Sequence, residues 1–190
     1  MPIPTKYVLP LFLTFFIQLL LKAQTHQSFS DSIAVQEPKD RKHSIAVLIG
    51  HSHISQGFQN GKQAWWALPS YAIDYNYRLS EHFSIGLHND IIVEDFVVQT
   101  TVNNDNRSIS RDYPFLICLV STYHFRDHFG FTLGFGREFE PVEDFNLVRL
   151  GAEGNFGLPN HFEVLVNLVY DYKLDGYDTW VHGVGIAKSF

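Results

Sequence analysis

One cysteine, Cys118, stands in 190 residues. The chain therefore forms no internal disulfide and offers no cysteine-based zinc site. Charge is sparse as well: 18% of residues are Asp, Glu, Lys or Arg, and the formal net charge is -6. An acidic balance without a basic stripe excludes a nucleic-acid partner. After the first two dozen residues, no apolar run approaches the ~20 residues a membrane-spanning helix requires. A phosphate-cradling glycine loop is absent, and nothing around Cys118 reads as a nucleophile motif. Apolar residues themselves are not scarce: the chain is 45% hydrophobic and 15% aromatic, with 17 Phe and 9 Tyr. Its mean hydropathy of -0.06 is too apolar for a disordered chain. The apolar residues are dispersed by alternation instead of being gathered into runs.

That alternation is clearest over residues 179–190. Phe190, Lys188, Ile186, Val184, His182 and Trp180 form one row; Ser189, Ala187, Gly185, Gly183 and Val181 form the other. A period of two with one bulky and one slim row predicts a strand. Seven more strands are predicted upstream, at 43–52, 66–78, 83–97, 113–125, 129–137, 145–157 and 161–172. The second sets Tyr71, Ile73, Tyr75 and Tyr77 against Ser70, Ala72, Asp74 and Asn76. The fifth sets Phe131, Leu133 and Phe135 against Gly130, Thr132, Gly134 and Gly136.

Connections after the second, fourth and sixth strands are short. Those at 52–64 and 99–112 are long and polar, the one at 138–144 is intermediate, and the one at 173–176 is short. Aromatics gather at both ends of the strands. Tyr75, Tyr77, Phe83, Tyr123, Phe125, Phe156, Phe162 and Phe190 form one ring. Trp65, Trp66, Phe96, Tyr113, Phe145, Tyr170, Tyr177 and Trp180 form the other. Two such girdles are expected where rings sit at lipid-headgroup level.

Residues 1–23 read as a secretory leader: Lys6 supplies the positive start, an apolar stretch follows, and Ala23 is a cleavage residue. Residues 24–42 are polar and aperiodic, which predicts a loose periplasmic arm. The remaining 43–190 form the folded domain.

A leader, eight alternating strands and a last strand finishing on Phe190 together resemble the small Gram-negative outer-membrane β-barrel proteins. The pattern departs at Lys188, where an apolar residue is preferred; near the interface a lysine can snorkel. The resemblance implies an all-β fold, an eight-stranded antiparallel up-and-down transmembrane barrel in the bacterial outer membrane. It implies contact with membrane lipids and engagement of the outer-membrane assembly machinery through the C-terminal strand. The expected role is non-enzymatic, structural or surface-binding, with the loops at 52–64 and 99–112 meeting an extracellular ligand. Alternation alone does not separate inside from outside, so a soluble lipocalin-like barrel with its apolar rows inward is the competing architecture.

An eight-stranded barrel is filled by its own side chains. The predicted lumen row holds Asp74, Arg78, His88, Asp90, Glu94, Arg149, Glu153, Asn155, Asn167 and Asp171, with Arg149 matched to Glu153 or Asp74. Near the extracellular mouth, imidazoles and carboxylates suggest a divalent-cation site formed by His51, His53, His88, Asp90 and Glu94, with Glu138 and Glu140 close by. His51 and His53 must then face inward, which requires a bulge near Gly50. A hydrolase alternative also exists: His53-Ile54-Ser55 resembles the His-x-Ser pair of outer-membrane lipid A deacylases.

Overall fold

The computed structural model describes residues 41–59, 61–102, 105–126 and 128–190. The leader and most of the 24–42 arm lie outside the described residues. Among those described, ten strands form one antiparallel sheet: β1 (His43–Gln59), β2 (Lys62–Arg78), β3 (Phe83–Ile92), β4 (Phe96–Val102), β5 (Asp105–Arg111), β6 (Phe115–Arg126), β7 (Phe129–Phe139), β8 (Phe145–Leu158), β9 (Phe162–Lys173) and β10 (Thr179–Ser189). Eight of these run in the order β1-β2-β3-β6-β7-β8-β9-β10. Pairing of β10 with β1 then closes the ring. The closing register runs from Ser44↔Ser189 to Ile54↔Thr179. At its lower end His43 and Phe190 exchange backbone hydrogen bonds of 3.2 and 2.8 Å.

Alternation decides which row faces out. Ile45, Val47 and Ile49 of β1 are exposed while Ala46 and Leu48 are buried. On β7, Phe131, Leu133 and Phe135 point out and Thr132 is buried; on β10, Val184 and Ile186 point out and Ala187 is buried. The apolar rows thus clothe the outside of the cylinder, and the lipocalin-like arrangement, with these rows lining a cavity, is not the one adopted. The slim row of β10 has a packing reason. A Cβ built on Gly185 would stand 2.2 Å from the Val47 carbonyl oxygen and 2.7 Å from Leu48 Cγ. Leu48 fills that space instead, clustering with Ala46, Ala72, Leu165 and Ala187.

Three sequence expectations change. The first strand runs to Gln59 and the second begins at Lys62, so most of the expected 52–64 loop is a continuous β-ribbon standing above the closed ring. The third strand stops at Ile92, and the expected loop at 99–112 is largely the β4–β5 hairpin, which meets the barrel through Gly57↔Val98. The third concerns the irregularity of β1, which falls between Ile54 and Gly57, not near Gly50. Alternation through Gly50 is unbroken, so His51 follows Ile45, Val47 and Ile49 to the outer face.

Candidate functional site

The upper mouth of the barrel is built from the tops of five barrel elements and from the hairpin that leans over them. At the barrel end of β4 and β5 alternate residues turn inward: Phe96, Val98, Ile109 and Arg111 are buried at 3% exposure or less. They meet Ile54 of β1, Leu68 of β2, Ile92 of β3, Phe145 of β8 and Tyr177 of the β9–β10 loop in one apolar cluster. Full burial of such a side chain contributes about 1.5–3 kcal/mol, so eight together hold the hairpin down over the opening. Phe96, Phe145 and Tyr177, expected in the outer aromatic girdle, belong instead to this cap, and Trp66 packs against it. Trp65, Tyr113 and Trp180 remain exposed.

Beneath the cap, Arg111 enters the barrel with no solvent exposure. Its Nη2 donates to Glu138 Oε1 at 2.5 Å and its Nη1 to Glu140 Oε2 at 3.2 Å. A further Nη1 hydrogen bond reaches the Glu143 carbonyl. The guanidinium lies 4.8 Å over the Phe145 ring. Lys173 Nζ stands 3.3 Å from Glu138 Oε2 and donates to Thr179 Oγ1 at 2.6 Å, and the Tyr177 hydroxyl donates to Glu138 Oε1 at 2.8 Å. Two cations thus face two carboxylates, and the Glu140 carboxylate also accepts from the backbone amides of Asp112, Val142 and Glu143. Burial, the largest single influence, works against the charge on Arg111, but Glu138, Tyr177 and Glu140 together outweigh it and hold the guanidinium above its usual range. The Tyr177 phenol is pushed well up, first by burial and then by Glu138.

Lower in the lumen, Arg149 is the hub. Its Nε and Nη2 donate to the two Asp171 oxygens at 2.7 and 2.8 Å, and Nη2 reaches Asp90 Oδ2 at 2.8 Å. The expected partners, Glu153 and Asp74, are displaced for a register reason. Arg149 lies directly opposite Asp171 on the neighbouring strand, and Glu153 is four residues further along β8. Asp90 comes from β3 on the other side of the ring, so this contact bridges the lumen. Asp74 sits 3.6 Å from His88 Nδ1, while His88 Nε2 bonds to Asn76 Oδ1 at 3.1 Å.

The five residues predicted as a cation site therefore do not come together. His88 and Asp90 face the lumen, Glu94 is exposed beyond the end of β3, and His51 and His53 lie on the outer wall. Among the described residues, no three His, Cys, Asp or Glu side chains converge on one metal position. His53 has acquired a partner that the sequence reading passed over: its Nε2 lies 3.2 Å from Nδ1 of His182 on β10. His51 stacks on the same His182 ring, centroids 5.7 Å apart. Ser55 follows His53 on the outer row, as the deacylase resemblance requires. Its hydroxyl, however, donates to the Asp178 carbonyl at 3.2 Å, and His53 is paired with an imidazole instead of an acid.

No protein-family model matches this chain, and no curated protein matches it. Solved structures do match. The N-terminal β-barrel domain of Pseudomonas aeruginosa OprF superposes with a TM-score of 0.53 at 13% identity, covering 80% of this chain and 100% of that one. Neisserial surface protein A (NspA) superposes with a TM-score of 0.51 at 12% identity, covering 78% of this chain and 97% of that one. The chain thus has the fold of the small outer-membrane β-barrels: eight antiparallel strands closed into a cylinder.

Proposed function

We propose that this protein is a non-enzymatic resident of the bacterial outer membrane, a sealed barrel that displays an extracellular hairpin platform. The apolar outer rows are suited to lipid. At a strand tilt of about 40°, each residue climbs about 2.5 Å, so an apolar band about 25 Å tall takes about ten residues. The ten steps from His43 to His53 on β1 span that height. The observation that carries the reading is the closure of the mouth. The cap cluster and the Arg111–Glu138–Lys173 network lie across the opening, and the Asp90–Arg149–Asp171 bridge crosses the lumen below. Such an interior does not conduct solutes.

What is left for function is the surface that the cap presents. Val97, Ser108 and Ser110 point away from the barrel, opposite the buried row of Phe96, Val98, Ile109 and Arg111. This side of the hairpin is the part available to an external ligand. The last strand is, on the same reading, what the assembly machinery engages, and deleting Phe190 lowers the assembled fraction in cells.

Planar-bilayer recording tests the sealed-barrel reading. The purified barrel gives no steady conductance, whereas a variant lacking residues 96–111 conducts intermittently, limited by the Arg149 bridge. Steady ion conductance by the intact protein would overturn the reading and return the protein to the channels.

A further inference from the structure

Lys188 is the only Lys, Arg, Asp or Glu in the outward row of β10, where Val184, Ile186 and Phe190 are its nearest companions. The register places it in a rung of four outward residues: Phe162 of β9, Lys188 itself, Ile45 of β1 and Tyr75 of β2. The rung below holds Phe190, His43 and Tyr77. The rung above holds Val164, Ile186, Val47 and Ile73. A single ammonium thus stands at the boundary between aromatic and aliphatic rungs of the wall. Its Nζ lies 4.9 Å from the Phe162 ring centroid, and no carboxylate stands within ion-pair distance of it among the described residues. A charge on an apolar wall is costly unless a counter-charge meets it.

His43 stands beside it. As a diagonal neighbour across the β1–β10 seam, it is within reach of a long side chain. Its Nδ1 meets the Tyr75 hydroxyl at 2.7 Å, and its ring stacks on Phe190, 16° from parallel with centroids 5.8 Å apart. With the phenol as donor, the neutral imidazole carries its proton on Nε2. That nitrogen has no partner among the described residues.

We propose that Lys188 and His43 hold the phosphate of one anionic phospholipid against the lower edge of the wall. The ammonium supplies the counter-charge, and the imidazole Nε2–H donates to a second phosphate oxygen. The aliphatic rungs above, from Ile186, Val47 and Ile73 up to Val184 and Ile49, form the track for the acyl chains. The headgroup class follows from the charges. The other side chains of the two lower rungs are uncharged, so none receives the ammonium of a zwitterionic headgroup. Glu163, on the neighbouring strand, accepts from Ser189 on the inner row. A phosphatidylglycerol-type headgroup brings one net negative charge to one unpaired cation. The placement in the periplasmic leaflet rests on the outer-membrane reading. Bound there, the lipid lies across the seam, and a ligand that binds only the closed form stabilises it by mass action.

The test uses the mature chain folded in dodecyl maltoside, with phosphatidylglycerol or phosphatidylcholine added and retained lipid counted by native mass spectrometry. One phosphatidylglycerol per chain is expected, held about fivefold better than phosphatidylcholine, the worth of about one lysine at an anionic lipid surface. Lys188→Gln abolishes the preference and Lys188→Arg keeps it. His43→Ala weakens retention, and Lys62→Gln, at the other end of the barrel, changes nothing. Glycerol phosphate, which lacks acyl chains, does not displace the lipid. Equal retention of both lipids by the wild type overturns the proposal, as does an unchanged preference in Lys188→Gln. Displacement by glycerol phosphate overturns it too, because the site would then serve a free phosphate. Should Lys188→Gln fail to fold, Ile45→Glu decides: a carboxylate directly opposite Lys188 occupies the ammonium and removes the preference, and a preference that survives it overturns the proposal. The same samples are run unheated and boiled. A barrel that shifts in the gel yet shows no preference fails only the lipid site, whereas loss of the shift in the wild type fails the barrel reading.

Discussion

The two ends of this barrel are finished in opposite ways. At the lower end the strands stop almost as soon as they leave the apolar band, and short turns join them. The interior there opens into a small polar pocket of about 50 Å³, lined by Arg41, His43, Arg78, His124, Glu153 and Glu163 among others. At the upper end, β1 and β2 overrun the ring and a separate hairpin folds back to cover it. Covering the mouth with backbone alone would leave polar groups unpaired. The chain instead brings an apolar row, Phe96, Val98 and Ile109, ending in one guanidinium that satisfies two buried carboxylates. The lower end needs only turn residues; the upper end needs a second small core.

Variants of the cap therefore ought to loosen the mouth while leaving the cylinder, and variants of the wall ought to act on assembly itself. Arg111→Ala takes one cation from the buried Glu138 and Glu140, leaving Lys173 and Tyr177 on the first and backbone amides on the second, and removing one partner of a buried ion pair costs up to about 3–5 kcal/mol. The expected outcome is rapid proteolysis between residues 96 and 111 with the unheated gel shift intact. Loss of the shift would mean that cap and wall are one cooperative unit. Ile73→Arg is the counterpart in the wall: Ile73 is exposed on the outer face, and if that face meets lipid, as proposed, an arginine near mid-band costs about 2–4 kcal/mol, read as a lower urea midpoint in vesicles with the cap still protected.

Gly185→Val places branched carbon against the Val47 carbonyl and Leu48 at the seam, and overpacking of this kind costs about 1–3 kcal/mol. It is expected to slow assembly from the unfolded state more than it lowers the midpoint. The smallest effect is one of pH and belongs to the cap. Tyr177 holds its proton more tightly in the folded state than in the unfolded chain, where a phenol titrates near about 10. Its contribution is complete below that value and is lost as pH rises through the folded one. Hydrogen exchange of the hairpin amides thus accelerates at alkaline pH beyond the intrinsic rate, and Tyr177→Phe abolishes that excess.

Much of this was legible in the residues. Period-two alternation, an even strand number and short connections after every second strand determine the cylinder. Outward rows such as Phe131, Leu133 and Phe135 follow from the pattern without adjustment. Even the His51–His182 pairing is a matter of counting: His51 is eight residues above His43, His182 is eight before Phe190, and those two ends pair. The count was obscured by the demand that His51 face inward to join the lumen acids.

The cap was harder to read. Phe96, Phe145 and Tyr177 sit where girdle aromatics are expected, and nothing local separates a ring that faces lipid from one that a hairpin will cover. The hairpin itself alternates over only seven residues per strand within a polar stretch. The choice of Asp171 and Asp90 by Arg149 depends on register and on a partner across the lumen, neither of which local spacing encodes.

Heat-modifiability after membrane fractionation tests the central claim most directly. The mature chain is recovered from cells by fractionation and run in detergent gels unheated and boiled. The account predicts recovery in the outer-membrane fraction and faster migration of the unheated sample, the behaviour of a closed barrel with an apolar outer wall. A water-soluble protein with a single mobility would contradict it, because the rows of Ile, Leu and Phe now facing outward would then have to be inside.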